Sequence, residues 1–173
     1  MLETERLLLR PLTAKDVNAV YALRSSAEVM RYIRAPQKDR QQSAGWIKLV
    51  SSRWQTEKIG FCAVIEKQSR EFVGWCGLWR LQETGETEIG YALAVRFQGK
   101  GYATEAARRC LIYGFETLNL EKIVAVARPE NTASRRVMQR LGMRYDGIGV
   151  FYGADLARYS ITNEEFKQNE RDF

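Results

Sequence analysis

Arg96-Phe97-Gln98-Gly99-Lys100-Gly101-Tyr102-Ala103-Thr104-Glu105-Ala106 decides how the rest of the chain is read. Ahead of it, Glu88-Ile89-Gly90-Tyr91-Ala92-Leu93 reads as a strand. Behind it, Ala103, Ala106, Ala107, Cys110, Leu111, Gly114 and Leu118 recur at helical spacing on one stripe. A strand therefore feeds a glycine loop, and the loop opens a helix. A helix start carries unpaired N–H groups and partial positive charge, which suits an anion. Gly99 and Gly101 let the backbone approach that anion without a Cβ in the way, and Arg96 and Lys100 add charge. A pyrophosphate is the natural occupant. Two familiar phosphate loops are excluded. No Gly-Lys-Ser/Thr follows a glycine at P-loop spacing, and the dinucleotide pattern from Gly99 needs Gly or Ala where Thr104 stands.

Upstream of the loop, residues 5–10 (Glu-Arg-Leu-Leu-Leu-Arg) read as a first strand closed by Pro11. Thr13 then caps a helix, with Asp16 as capping-box partner, and Val17, Val20, Tyr21 and Arg24 continue it. The pattern breaks over 26–37. A longer helix is expected over 38–56, with Ala44, Ile47, Val50 and Trp54 on one face and Trp46 and Leu49 broadening it. Residues 60–65 and 72–79 read as a hairpin. Downstream, 122–127 is a continuous buried strand. A helix opens after Asn131, with Ala133, Val137 and Leu141 inside and Arg135, Arg136 and Arg140 outside, and Gly142 ends it. Strands near 143–152 and 156–162 finish the chain. The order β-α-α-β-β-β-α-β-α-β-β predicts a mixed α/β (α+β) protein, with helices on a mostly antiparallel sheet. No linker composition interrupts it, so a single domain over 1–173 is expected.

Composition narrows the function. The 173 residues are 45% hydrophobic, enough for a real core. No apolar run reaches membrane-span length and the first residues lack a signal-peptide layout, so a cytoplasmic protein without a membrane partner is expected. Cys62, Cys76 and Cys110 are scattered in apolar contexts and read as reduced, buried thiols. The chain has no histidine, which removes Ser-His and Cys-His catalysis and most zinc sites, and no metal is expected. The net charge of +6 fits an anionic partner. With no basic tail and no aromatic platform, that partner is a phosphate-bearing cofactor rather than nucleic acid.

Arg-x-x-Gly-x-Gly followed by Tyr-Ala-Thr-Glu-Ala resembles the coenzyme A loop of the GCN5-related N-acetyltransferases (GNAT). The opening Thr4-Glu5-Arg6-Leu7-Leu8-Leu9-Arg10-Pro11-Leu12-Thr13 resembles the same branch, which holds the ribosomal-protein N-terminal acetyltransferases and the spermidine acetyltransferases. The resemblance implies the GNAT fold, whose central strands splay apart to admit the cofactor. It also implies acetyl-CoA as cofactor and transfer of acetyl to a primary amine, either a small molecule or a protein N-terminus, by a monomer or homodimer. On this basis Gln98, Gly99, Lys100, Gly101, Tyr102, Ala103 and Thr104 hold the pyrophosphate beside Arg96. Backbone groups of Leu93, Ala94 and Val95 pair with the pantetheine arm like an added strand. Asn131 hydrogen-bonds that arm and Ser134 reaches the sulfur. Met30, Tyr32, Trp46 and Phe151 are candidate acceptor-cleft residues.

Without histidine, the candidate proton acceptor is Glu88. Strand alternation puts Glu88, Gly90 and Ala92 on one face, where two small neighbours leave room for a substrate. A carboxylate of ordinary pKa near 4.3 strips an alkylammonium (near 10.4) inefficiently, so a water is expected between them. The competing reading of Glu88 is a solvated strand-end carboxylate. Glu105, in the first helical turn, is a second candidate. Spermidine acetyltransferases place a general-acid tyrosine seven residues after the asparagine, where this chain has Met138. Ser134 is then expected to hydrogen-bond the leaving thiolate. Phe97-Gln98 also departs from the Tyr-Trp common in the ribosomal-protein branch. These departures leave one alternative, a non-catalytic acyl-CoA-binding regulatory module. A cysteine-acyl route lacks a base, so direct attack in a ternary complex is expected.

Overall fold

A computed structural model describes residues 1–171. It places the strand before the glycine loop in the middle of one eight-stranded sheet. The strands are β1 (Leu2–Glu3), β2 (Leu7–Pro11), β3 (Phe61–Glu66), β4 (Phe72–Arg80), β5 (Thr87–Leu93), β6 (Lys122–Ala127), β7 (Arg144–Phe151) and β8 (Ala154–Thr162). Their order is β1-β2-β3-β4-β5-β6-β8-β7. The helices are α1 (Val17–Arg24), α2 (Ala27–Met30), α3 (Arg40–Thr56), α4 (Tyr102–Ile112), α5 (Thr132–Arg140) and α6 (Asn163–Arg171). The mixed α/β class and mostly antiparallel sheet agree with the sequence reading. The short β1 and α2 and the C-terminal α6 were not anticipated.

One junction departs from antiparallel pairing. The β4–β5 ladder runs from Gly74↔Leu93 to Arg80↔Thr87. On its other side β5 runs parallel to β6, and Glu88↔Val124 is their one register pair among the described residues. The α4 crossover forces the parallel arrangement. From Ile89 to Leu93, immediately before the glycine loop, β5 has no register pair with β6 among the described residues, which leaves an opening in the ladder there.

Each face of the sheet has its own core. Leu7, Leu9, Cys76, Leu111, Met138 and Phe166 belong to the cluster under α4, α5 and α6. Val20, Ile47, Val50, Phe61, Trp75 and Ala92 belong to the cluster under α1 and α3. Each large apolar side chain so buried contributes about 1.5–3 kcal/mol. All three cysteines are buried and unbridged. None of the described helices is long and apolar enough to cross a membrane.

Helix faces required some correction. In α3, capped by the Asp39 carboxylate on the Gln42 N–H at 2.9 Å, the inward stripe is Ser43, Ile47 and Val50. Ala44 and Leu49 are exposed. Ser43 can sit inside because its hydroxyl donates to the Gln37 side chain. In α5 the buried residue is Met138, while Ala133 faces out. Arg135, expected outside, leans in to donate to the Tyr159 hydroxyl at 3.0 Å. The Thr13–Asp16 box forms, with the Asp16 carboxylate accepting the Thr13 N–H at 2.7 Å and hydroxyl at 3.0 Å. It opens a 3-10 turn ahead of α1.

Candidate active site

The glycine loop is shaped by backbone conformation. Gly101 is the N-cap of α4 at φ 82° and Gly99 lies at φ 75°, both left-handed. Side chains rarely adopt that region. The loop is fastened from the N-terminus, where Arg6 donates to the Lys100 carbonyl at 3.0 Å and to the Glu105 carboxylate at 2.7 Å. Glu105 also accepts from the Thr4 hydroxyl at 2.5 Å. Although partial burial opposes it, these bonds hold the Glu105 carboxyl below its usual range. Glu105 is thus a clamp for the loop, and the reading of it as a proton acceptor is corrected.

Several loop side chains already have partners. Arg96 pairs with Glu71 at 2.7 Å. The Tyr102 hydroxyl donates to Glu66. Lys100 lies over the Phe97 ring at 5.3 Å. Ala103 is half-buried against the core. The Gln98 amide donates to the Leu93 carbonyl at 3.0 Å, while the Ala94 N–H goes to Val73 at 2.9 Å and the Val95 carbonyl accepts the Gln98 N–H at 3.0 Å. Of these three residues, Leu93 alone has its carbonyl held by a side chain and not by backbone, so a pantetheine amide pairing with that carbonyl would displace the Gln98 side chain. Thr104 Oγ1 is buried with no partner. An orphaned hydroxyl in the first turn of α4 fits a phosphate oxygen or another polar group of coenzyme A.

Across the opening, the Asn131 side chain caps α5 by accepting the Ser134 N–H at 3.1 Å. The Tyr91 hydroxyl, reaching over from β5, lies 3.0 Å from Ser134 Oγ and 3.1 Å from the Ser134 carbonyl. Burial pushes the Tyr91 phenol well above its usual range, so it stays protonated. Sequence reading missed Tyr91; its one signal was a tyrosine facing away from Glu88 in the same strand. Met138 is buried in the core, so no side chain from that position reaches the site.

Glu88 is 7% exposed, which overturns the solvated strand-end reading. Burial raises its pKa to about 7, opposed by a hydrogen bond from the Tyr152 hydroxyl. The nearby Glu83 raises it and Arg34 lowers it. The expectation of an ordinary carboxylate is therefore corrected: this one is matched to proton transfer near neutrality. The space above Gly90 also differs from expectation. A Cβ there would lie 3.0 Å from the Phe61 ring, so aromatic side chains floor that face. Trp46 stacks on Phe61, with centroids 5.7 Å apart. Met30 and Tyr32 border a cavity of about 330 Å³ with Arg31, Arg34 and Arg128. Phe151 packs with Leu81, Val124 and Leu156, and its neighbour Tyr152 is the residue that meets Glu88.

Comparison with known proteins matches this architecture. A family model described as the acetyltransferase (GNAT) domain matches residues 6–144. The uncharacterized N-acetyltransferase p20 of Bacillus licheniformis is 34% identical over 149 residues, covering 85% of this chain and 84% of its own. The spermidine N(1)-acetyltransferase of Escherichia coli K12 is 30% identical over 149 residues, covering 80% and 73%. A GNAT-family acetyltransferase from Bacillus anthracis superposes with TM-score 0.80 at 30% identity, covering 94% of this chain and 98% of that one. A family match across most of the chain, close relatives and a shared fold agree with the open sheet and glycine loop: the chain belongs to the GNAT acetyltransferase family, whose members use acetyl-CoA.

Proposed function

We propose that the protein transfers the acetyl group of acetyl-CoA to a primary amine by direct attack in a ternary complex. One observation carries this reading. Glu88, with Gly90 and Ala92, faces the side of the sheet covered by α1 and α3, whereas Tyr91 and Ser134 meet on the side of α4 and α5. Two ligands entering from opposite faces would meet in the opening between β5 and β6.

When bound, acetyl-CoA supplies an activated acyl carbon and a thiolate leaving group. The glycine loop and Thr104 hold its phosphates through backbone N–H groups and the unpartnered hydroxyl. Glu88 takes the ammonium proton of the acceptor on its carboxylate, directly or through one water, and so delivers a neutral nucleophile. Ser134 offers its hydroxyl to the sulfur as charge develops there, with Tyr91 supporting that hydroxyl. Holding both reactants in the opening is worth several orders of magnitude by itself. The cysteines take no part, since all are buried and burial pushes the Cys62 thiol far up.

The test is free-thiol release from acetyl-CoA across a panel of amines and peptides, with initial rates at several concentrations of both substrates. Intersecting double-reciprocal lines support the ternary complex. Parallel lines would replace it with an acetyl-enzyme route, and tight coenzyme A binding without thiol release would indicate a regulatory module.

A further inference from the structure

Arg24 is the one lysine or arginine among the described residues that is buried, at 2% exposure. Its Nε is a buried donor without a partner. The influences acting on its charge are burial, which pulls its pKa down to about 10, and the like charge of Arg34. It therefore remains a cation at neutral pH, with no carboxylate beside it among the described residues. An uncompensated buried charge is costly, and such charges are normally paired. Trp46 holds the guanidinium in place, 4.2 Å from the ring centroid, which fixes its donors but supplies no anion.

Position links this cation to the acceptor side. Trp46 stacks on Phe61, and Phe61 covers Gly90 on the Glu88 face of β5. Arg34 lies within electrostatic reach of both Arg24 and Glu88. It also lines the cavity of about 330 Å³, where Arg31 and Arg128 join it and no acidic residue contributes. Arg34 thus joins two groups of opposite charge, the Glu88 carboxylate with Glu83 near it on one side and Arg24, Arg31 and Arg128 on the other.

We infer that Arg24 and Arg34 bind an oxyanion carried by the acetyl acceptor, so that the acceptor is an amine bearing a carboxylate or a phosphate and not a polycation. This rests on the acetyl transfer proposed above and names its substrate class. The ammonium end of such a molecule faces Glu88 and its anionic end faces the arginines. A guanidinium fork matches either oxyanion in a two-pronged geometry. A polyamine would bring further positive charge against Arg31, Arg34 and Arg128, which selects against it.

The experiment compares matched pairs of acceptors by thiol release: amino acids with their amides, β-alanine with propylamine, and phosphoethanolamine with ethanolamine, with spermidine alongside. The anionic member should have a kcat/KM at least tenfold higher in the carboxylate pairs, the phosphate pair, or both, and the pair that responds identifies the oxyanion. Arg24→Met and Arg34→Gln should each remove most of that preference while coenzyme A affinity is kept. Should Arg24→Met fail to fold, the exposed Arg34 variant and the wild-type pairs still decide. Equal use of paired acceptors, or preferred use of spermidine, overturns this inference and leaves acetyl transfer standing. Coenzyme A binding with no turnover of any amine overturns both.

Discussion

The Tyr152 hydroxyl donates to the Glu88 carboxylate, joining the β7–β8 turn to the centre of the sheet. The turn is built for this reach. Phe151 pairs with Ala154, and the two residues between them, Tyr152 and Gly153, have φ of 53° and 71°. Both lie in the left-handed region that a two-residue type I′ hairpin requires. A tyrosine there is strained by about 1 kcal/mol or more. The Glu83 carboxylate, which accepts the Tyr152 N–H, helps hold it.

That bond favours the charged form of Glu88 and works against burial, which raises the pKa to about 7. Tyr152→Phe should therefore move the acidic limb of the kcat/KM profile to higher pH, by roughly one unit if a charge-assisted hydrogen bond is lost. Activity well above the limb should change little. A pH–rate profile with a confirmed acceptor is the check. A uniform loss across pH would make Tyr152 a binding or packing residue instead.

Glu88→Gln should keep coenzyme A affinity and lower kcat/KM by about 10²-fold, the usual scale for an acid–base group. The deficit should be largest just above pH 7, where wild-type Glu88 is ionised and the amine still arrives protonated. It should shrink in acid, where Glu88 is protonated anyway, and in alkali, where the acceptor arrives neutral. A deficit constant across this range would remove Glu88 from proton transfer.

The same carboxyl sets a stability trend. Its folded pKa of about 7 lies above the ordinary 4.5, so the folded state holds the proton more tightly. The stability this confers is complete below pH 4.5 and is lost as pH rises through 7. Glu88→Gln loses nothing over that range, so its melting temperature should gain on the wild type between pH 5 and pH 8. The upper bound is about 3 kcal/mol. Thermal melts of the ligand-free proteins at both pH values test this, and parallel trends would mean Glu88 is not buried as a charge.

Sequence periodicity located the strand–loop–helix unit and the long helix because these are local patterns of apolar residues. The α4 stripe reads through to buried Gly114 for that reason. Glu88 was legible as a candidate, but its burial was not, since that depends on Tyr152, which comes from a turn 64 residues away. Arg24 read as part of an ordinary amphipathic helix, and nothing local shows that a guanidinium ends up over Trp46 with no counter-charge among the described residues. Glu105 misled in the opposite sense. A carboxylate in a first helical turn suggests the dipole, whereas its partners Thr4 and Arg6 are supplied by the far end of the chain.

Gly101→Val should weaken coenzyme A binding at least tenfold, about 1.4 kcal/mol. The backbone at φ 82° strains any side chain, and a branched one also occupies the approach to the N–H groups of α4. The rest of the loop keeps its tether through Arg6 and Glu105, so the fold should survive. Titration calorimetry reads the affinity, and an unchanged value in a folded variant would move the pyrophosphate elsewhere.

Tyr91 and Ser134 should act as one unit at the leaving sulfur. The Tyr91 hydroxyl can donate to the Ser134 carbonyl, in which case its oxygen is open to the Ser134 proton. It can instead donate to Ser134 Oγ, which leaves the serine proton to face the sulfur. The second arrangement is the useful one when a thiolate forms, because the phenol, its pKa pushed up by burial, keeps its own proton. A serine hydroxyl is a weak acid and a thiol pKa near 8.5 already makes a fair leaving group, so the assistance is modest. Ser134→Ala should lower kcat by about tenfold and leave coenzyme A affinity nearly intact, on the scale of one hydrogen bond to a charged group. Tyr91→Phe should cost somewhat less, and the double variant no more than Ser134→Ala alone, since partners in one network are not additive. Single-turnover rates of the three variants give the cycle. Additive losses would separate the residues, and complete inactivity of Ser134→Ala would make the serine the obligatory proton donor.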